Sequence, residues 1–403
     1  MGFKPAAEVL EKYAHVLVNF ALGSGQGLQA DETVYLQSPV SALPLYNAVK
    51  KAIINTGGHI INGLYDDTSG LSSYFFQHAS HKQLSRFHTK FNRGLVADTD
   101  HRIAILSKYD VHELDNIDPR KLLLAQRSAK PLMRWFDQKE NAGLYTWTLA
   151  LYGTAAMAQE AGLSPKAYWD QIIKACYLDY PKPVLKWRQI SRQIKQISNR
   201  LTKLAIRQLH IQGPDADLLI SLGEDRRWLG GGGRNIPSFE IFTSPDWRRT
   251  EGWIRFNQPL YYYGPMIKGI ELHFKAGRVV KSSASQNYKL LKEMLATDEG
   301  AAQLGEFSLT DRRLSRITKF MAETLFDENI GGRHGNTHIA LGKSYHDAYT
   351  GNIKRFTPAA AKRLGFNDSV IHTDMISTAP RTVTAVLANG RKKVIYQNGQ
   401  FTL

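Results

Sequence analysis

The sequence predicts two architectures in one chain, an N-terminal α/β domain and a C-terminal β-rich domain of the α+β class. Three observations support this prediction. A chain of 403 residues is longer than one hydrophobic core usually organises. Strand-like and helix-like segments alternate over the first 180 residues, whereas short β-rich runs with turn residues begin near residue 215. We therefore predict an α/β domain at 1–180, a basic helical connector at 181–214 and a β-rich domain at 215–403.

The N-terminal domain is predicted from segments in the order typical of α/β proteins. They are ETVYLQ (strand), SALPLYNAVKKAIINTGG (helix ending in glycine), HIINGLYDD (strand), KQLSRFHTKFNRGLV (helix) and HRIAILSKY (strand). PRKLLLAQRSAKPLMRWFDQ and SPKAYWDQIIKACYLDY extend the pattern around GLYTWTLALYG. In the C-terminal domain, the β-rich runs include ADLLISLG, IKGIELHFKAGRVVKSSAS and VTAVLANGRKKVIYQNG, and KAGR and ANGR are typical of hairpin turns.

The connector is predicted from residues 181–210, which hold eight Lys or Arg residues and no acid. Apolar residues recur in it at helical spacing, namely Ile190, Ile194, Ile197, Leu201 and Leu204. This pattern predicts an amphipathic helix with a basic outer face. The face is interpreted as a solvated surface, as a dimer or substrate-facing surface, or as a nucleic-acid contact.

Composition narrows the class of protein. The chain has no run of 18 apolar residues, so we expect a cytoplasmic protein that does not enter a membrane. Its single cysteine, Cys176, excludes an intramolecular disulfide framework and a thiolate metal cluster. The net charge of +16 and the pI near 9.7 are compatible with nucleic acid as a binding partner.

The stretch GRHGNTHIALGKSYH places His334 and His338 four residues apart, the spacing of two zinc ligands on a helix. A zinc-peptidase helix also needs a glutamate directly after the first histidine, where this chain has Gly335. The surrounding glycines disfavour a helix as well. We therefore predict that His338 lies on a short strand, THIALG, after a glycine-rich turn, and that further ligands come from elsewhere.

Several charged residues stand in apolar surroundings in the C-terminal half. Glu240 lies between Phe239 and Ile241, and Glu306 precedes Phe307. Buried carboxylates need a partner. In SVIHTDMI, strand alternation puts His372 and Asp374 on one face, about 6.6 Å apart along the strand. Together these residues favour a metal site with oxygen and nitrogen ligands in the β-rich domain.

These segments resemble the thermophilic aminopeptidase family of metallopeptidases. The resemblance is carried, in the order of the family, by GRNIPSFEIFTSP, LGEFSL, TLFDEN, THIALGKSY and NDSVIHTDMI, with VLANGRKKVIYQNGQF at the end of the chain. It implies a dimeric exopeptidase that removes the N-terminal residue of peptides with a water molecule activated by two divalent metal ions. The implied metal ligands are Glu240, Glu306, His338, Tyr345, His372 and Asp374.

The ligand types suit Zn, Co or Mn. Glu306 would bridge the ions or accept a proton, and Tyr345 would bind a metal or stabilise the oxyanion. The chain departs from the family in the insertion IGGRHGNT, which makes His334 an alternative to His338. Tyr345, seven residues beyond His338, needs a bend to reach the same face, and Gly342 could provide it.

Two other classes of function stay open on sequence alone. A basic nucleic-acid-binding protein would explain the pI, and its binding would weaken steeply with salt. A non-catalytic, metal-stabilised protein would explain the ligands without turnover.

Overall fold

The computed structural model describes residues 3–261 and 265–403. The chain divides into two compact units, one formed by Met1–Ser191 with Gly232–Ser238 and the other by Arg192–Gly231 with Phe239–Leu403. The predicted domain division at 180 and 214 stays a prediction. No helix in the described part of the chain is both long enough and apolar enough to span a membrane.

Helices are concentrated in the first half of the chain. They are α1 (Ala7–Val16), α2 (Leu43–Asn55), α3 (Leu71–His78), α4 (His81–Leu84), α5 (Thr89–Asp98), α6 (Pro119–Ser128), α7 (Lys130–Asn141), α8 (Ala155–Glu160), α9 (Pro165–Ala175), α10 (Pro183–Lys203), α11 (Tyr288–Leu295), α12 (Thr324–Asp327) and α13 (Pro358–Arg363). Side-chain caps begin several of them. Ser164, for example, accepts a hydrogen bond from the backbone N–H of Ala167 at the start of α9.

Strands are concentrated in the second half of the chain. They are β1 (Thr33–Pro39), β2 (His59–Tyr65), β3 (His101–Leu106), β4 (Thr146–Leu151), β5 (Ile206–Gly213), β6 (Ala216–Ser221), β7 (Asn235–Ile236), β8 (Glu240–Thr243), β9 (Glu251–Arg255), β10 (Leu260–Tyr261), β11 (Met266–Ile267), β12 (Glu271–Lys275), β13 (Arg278–Ser283), β14 (Leu304–Thr310), β15 (Asn336–Gly342), β16 (His372–Ser377), β17 (Thr382–Leu387), β18 (Lys392–Gln397) and β19 (Gln400–Phe401).

The first unit is built on a five-stranded parallel sheet with the order β2-β1-β3-β4-β7. Its central strands are apolar, and Val34, Leu36, Ile103 and Ile105 are buried in the core. Helices connect the parallel strands, as crossover connections require. The α/β architecture predicted for the N-terminal half is confirmed.

One helix of this unit was predicted as continuous and is not. The segment KQLSRFHTKFNRGLV forms two helices, α4 and α5, with a break after Leu84. At the break, the hydroxyl of Ser85 donates a hydrogen bond to the carbonyl of His81. Such a bond from serine to the backbone competes with continued helix formation.

The basic connector is helical only as far as Lys203. Ile190, Ile194 and Leu201 are buried, whereas Arg192 and most other basic residues of α10 are exposed, so the predicted amphipathic pattern is present. Ala205 then adopts a positive φ of 48°, which ends helical geometry. The last residues of the predicted helix form β5 instead, because their apolar residues alternate with period two.

The second unit contains an eight-stranded antiparallel sheet with the order β13-β12-β9-β6-β5-β17-β18-β19 and a four-stranded antiparallel sheet with the order β16-β15-β14-β8. Strands β10 and β11 form a separate pair. Every residue of β14 and β15 is buried, so the four-stranded sheet lies inside the unit. The predicted β-rich C-terminal half is confirmed, and this inner sheet carries the charged residues singled out by the sequence.

Candidate metal centre

One face of the four-stranded sheet, called the site face below, gathers acids and imidazoles. Residues directly opposite each other on antiparallel strands have their side chains on the same face. The cross-strand pairs that define the site face are Glu240 with Thr310, Ser308 with His338, Ala340 with both Glu306 and Asp374, and Gly342 with His372. The pairing therefore brings together charged residues from all four strands.

Glu306 lies between two imidazoles on this face. Its Oε1 is 3.2 Å from Nε2 of His338, and its Oε2 is 3.7 Å from Nε2 of His372. Two further carboxylates flank the pair: Oε2 of Glu240 is 3.4 Å from Nε2 of His338, and Oδ1 of Asp374 is 3.5 Å from Nε2 of His372. The two oxygens of Glu306 thus face different histidines.

These residues form two overlapping groups of possible metal ligands. One group is Glu240, Glu306 and His338, and the other is Glu306, His372 and Asp374; in each group the ligand atoms lie within 4.8 Å of one another. Buried carboxylates this close repel each other unless cations pair them. Carboxylate oxygens with neutral imidazole nitrogens are a donor set that divalent Zn, Co or Mn accepts. The residues therefore fit divalent metal ions.

Burial and mutual charge perturb the titration of the cluster. Burial raises the pKa of Glu306 to about 7, although the hydrogen bond with His338 and the charge of His372 act in the opposite direction. Burial lowers the pKa of His372, but the charge and hydrogen bond of Asp374, together with the charge of Glu306 and the hydrogen bond to Lys343, outweigh burial and raise the pKa to about 9. Without metal the cluster consequently retains protons, which divalent ions would displace.

The orientation of His372 is set by the chain that follows β15. Its Nδ1–H donates a hydrogen bond to the carbonyl of Lys343 at 2.7 Å, which leaves Nε2 as the nitrogen that faces the carboxylates. The backbone N–H of Lys343 donates to the carbonyl of Ile371 at 2.7 Å. Nδ2 of the buried Asn367 donates to the carbonyl of Gly342 at 2.6 Å. The imidazole is thus held by a fixed backbone segment.

Tyr345 reaches the site through a bend at Gly342. Gly342 has φ of +103°, and a Cβ there would lie 2.1 Å from the carbonyl oxygen of Ile371, so only glycine fits. The Tyr345 ring then packs edge-on against the His372 ring, with 4.9 Å between their centroids. The bend predicted at Gly342 is present, and Tyr345 lies beside the cluster.

Glu328 is a site residue that the sequence reasoning missed. It directly follows α12, is 5% exposed, and interacts electrostatically with Glu240, Asp374, His338 and Glu306. Burial and the neighbouring carboxylates raise its pKa well above the usual range. A signal was available in TLFDEN, where two consecutive acids directly follow two apolar residues, although this stretch has no strand alternation to indicate a face.

His334 lies elsewhere. It belongs to the glycine-rich turn before β15, and its carbonyl accepts a hydrogen bond from the hydroxyl of Tyr396 at 3.3 Å. Within the described residues, the two ligand groups include His338 and not His334. THIALG forms a strand, not a helix, as predicted. The choice of His338 as the ligand stays a prediction that this geometry supports.

Comparison with known proteins identifies the family. A model of the family described as thermophilic metalloprotease (M29) matches residues 6–401. The chain belongs to this family. Membership confirms the resemblance seen in the sequence motifs and the predicted enzyme class, a metal-dependent aminopeptidase. Peptides as the class of substrate and a divalent metal as the cofactor follow from the family.

Relatives of this M29 peptidase match over nearly their whole length. Aminopeptidase 2 of Geobacillus stearothermophilus is 28% identical over 415 residues, which cover 97% of this chain and 97% of the relative. Aminopeptidase T of Thermus thermophilus is 26% identical over 412 residues, covering 96% and 98% of the two chains. The solved structure of wild-type AmpT from Thermus thermophilus has a TM-score of 0.81 at 24% identity and covers 98% of this chain and 99% of its own. This similarity shows a common fold.

Proposed function

We propose that this peptidase removes the N-terminal residue from peptides with two divalent metal ions bound on the site face. The observation that carries the proposal is the position of Glu306, whose two oxygens face His338 and His372 separately. In this arrangement Glu306 belongs to both ligand groups. Glu240 and His338 complete one ion position, and His372 and Asp374 complete the other.

The bound ions would lower the pKa of a water molecule shared between them and polarise the scissile carbonyl. The chain supplies the remaining parts of the reaction. Glu306 reaches both ion positions, so it is also the proposed acceptor of the water proton. Tyr345, which packs against His372, is proposed to donate a hydrogen bond from its hydroxyl to the developing oxyanion or to act as a further ligand.

Selectivity for the N-terminus is proposed to arise from the charge of the cluster. Glu240, Glu306, Glu328 and Asp374 concentrate carboxylates in one buried region. A free α-amine, either as an ammonium ion paired with these carboxylates or as a neutral metal ligand, is stabilised there. An acetylated N-terminus can do neither, so a blocked peptide should be a poor substrate.

The test compares a leucyl peptide with the same peptide acetylated at its N-terminus, and measures the release of free leucine. We expect release only from the unblocked peptide, loss of release after chelation, and recovery on addition of Zn, Co or Mn. Equal cleavage of the acetylated peptide would contradict the exopeptidase assignment. Full activity after complete demetallation would contradict the metal mechanism.

We further propose that the native ion is Zn, Co or Mn and that the peptidase acts as a homodimer in the cytoplasm, as the family resemblance implies. Metal analysis of the protein purified without added metal identifies the ion. Light scattering of the intact protein measures the assembly, and the mass of a single subunit at working concentration would contradict the dimer.

A further inference from the structure

The imidazoles of His338 and His372 on the site face differ in the hydrogen bonding of their Nδ1 atoms. Nδ1 of His372 donates to the carbonyl of Lys343 at 2.7 Å. Nδ1 of His338 has no hydrogen-bond partner among the described residues, although His338 is only 1% exposed. An imidazole that binds a metal through Nε2 carries its proton on Nδ1, and this N–H normally needs an acceptor. Direct contacts of the protein therefore leave the His338 tautomer unassigned.

Three more buried polar atoms lie beside His338 on the same face. None of them has a hydrogen-bond partner among the described residues. They are Oγ of Ser308, Oγ1 of Thr310 and Oδ1 of Asn336. Ser308 lies directly opposite His338, and Thr310 lies directly opposite Asn336. Residues paired in this way have Cβ atoms about 4.5–5.5 Å apart. The four orphan atoms thus belong to one contiguous block of two cross-strand pairs, called the hydroxyl patch below.

The hydrogen-bonding capacities of the hydroxyl patch are complementary. With the proton on Nδ1, His338 offers a donor, Asn336 offers an acceptor, and the hydroxyls of Ser308 and Thr310 can both donate and accept. The other end of the Asn336 amide is fixed, because its Nδ2 donates to the carbonyl of Asp327 at 2.9 Å. Buried polar groups are rarely left unpaired, and a polar site with two to four partners is one that water occupies.

We propose that the hydroxyl patch is a buried water site, and that water held by Ser308 accepts the Nδ1 proton of His338 and so presents Nε2 to the metal. Ser308 is then a positioning residue that acts through His338. The inference rests on the proposed function in one respect, the role of His338 as a metal ligand. It goes beyond the proposed function because it identifies the water and the hydroxyl that set the tautomer of His338.

The first test uses the intact zinc-loaded peptidase. A high-resolution crystal structure should contain an ordered water between Oγ of Ser308 and Nδ1 of His338. Nitrogen-15 NMR of labelled histidine should show His338 as the Nδ1–H tautomer with Nε2 on zinc. A different protein group bonded directly to Nδ1 of His338, or the opposite tautomer, would overturn the proposal.

The second test removes the hydroxyl. Ser308→Ala should weaken zinc binding about 10- to 100-fold, the range typical of groups that orient a ligand. Excess zinc should restore most of the turnover. The matched control is Ser377→Ala, because Ser377 is equally buried in the same sheet but is paired with Thr337 on the opposite face. Its zinc affinity should stay within about twofold of wild type, since it orients no ligand.

If Ser308→Ala does not fold, Thr310 provides a second pair of variants. Thr310→Val removes the hydroxyl while keeping the shape, and should weaken zinc binding several-fold, whereas Thr310→Ser keeps the hydroxyl and the affinity. Wild-type protein that binds zinc, together with unchanged affinity in the hydroxyl-free variants, would overturn the water site alone. Wild-type protein that binds no zinc would overturn both this inference and the proposed function.

Discussion

Two kinds of buried carboxylate occur in the second unit of this peptidase. Asp246 and Asp311 each face an arginine two residues further along the chain. Nε of Arg248 is 2.8 Å from Oδ1 of Asp246, and Nε of Arg313 is 2.8 Å from Oδ1 of Asp311. On the site face, by contrast, Glu306 faces imidazoles from two other strands that are remote in sequence. In the first kind, the compensating cation is an arginine two residues away in the chain. In the second kind, several acids surround positions that bound cations can occupy.

The pKa values show the consequence of this difference. Burial raises the pKa of Asp246, but the hydrogen bonds and charge of Arg248 outweigh burial, and the net pKa is lowered. Burial raises the pKa of Glu306 to about 7, and its two imidazole neighbours do not reverse the shift. A buried carboxylate with its own guanidinium is therefore structural. A buried carboxylate surrounded by other carboxylates and imidazoles, as Glu306 is, has a perturbed pKa of the kind that clusters at functional sites.

The largest expected effect separates Glu306 from Asp311. Glu306→Gln should lower turnover more than about 100-fold, because it removes charge from both ion positions, beyond the effect of a group that only orients a ligand. Asp311→Asn should keep turnover per folded subunit within a few-fold and lose about 1–3 kcal/mol of unfolding free energy, as a buried acceptor is weakened. Peptide hydrolysis and urea unfolding measure the two quantities. Near wild-type turnover in Glu306→Gln would remove the basis of the comparison.

A smaller effect is expected at Glu328, whose buried carboxyl group interacts with the cluster without belonging to either ligand group. Glu328→Gln should weaken metal binding about 10- to 100-fold, the range for residues that act through a ligand. Competition with a chelator of known affinity measures the change. Glu299→Gln is the control, because Glu299 is exposed, pairs with Arg278 and belongs to neither ligand group. Equal affinities in the two variants would exclude Glu328 from the centre.

The two kinds of carboxylate should also respond oppositely to pH. Glu306 keeps its proton in the metal-free fold up to about pH 7, whereas an unfolded glutamate loses it near 4.5, so stability falls as pH rises through this window. His372, with a pKa raised from 6.5 to about 9, adds stability that is present below pH 6.5 and lost by about pH 9. Asp246, with a lowered pKa, contributes stability that is lost only in acid.

Thermal unfolding of the metal-free and metal-loaded proteins between pH 6 and 9 tests this contrast. The melting temperature of the metal-free protein should fall with rising pH, and the gap to the loaded protein should widen as ions replace the retained protons. A constant gap across this range would show that the cluster binds no metal in competition with protons.

The smallest expected effect is at His334. His334→Ala should keep the full metal content and most of the activity, because His334 lies in the turn and His338 lies among the carboxylates. His338→Ala should lose about one ion per subunit. Metal analysis of both variants decides between them, and loss of an ion in His334→Ala alone would reverse the assignment.

The local features of this centre were predictable from the pattern of residues along the chain. Glu240 and Glu306 could be recognised because each is a charged group in an apolar stretch, which is costly to bury without a partner. His372 and Asp374 could be placed on one face because side chains alternate along a strand. The glycines around His334 excluded a helix and left His338 on a strand, where the structure has it.

Which of these residues meet depends on strand pairing between segments far apart in the chain. Glu306 and His338 are 32 residues apart, and the separate orientation of the two Glu306 oxygens depends on β14 pairing with β15 and β15 with β16. Glu328 escaped notice because the short α12 before it has no alternation to reveal a face. The physical reason is the same in each case. Backbone geometry imposes a period on neighbouring residues, so it determines which side chains share a face, whereas the partner strand and its register follow from packing between residues far apart in the chain.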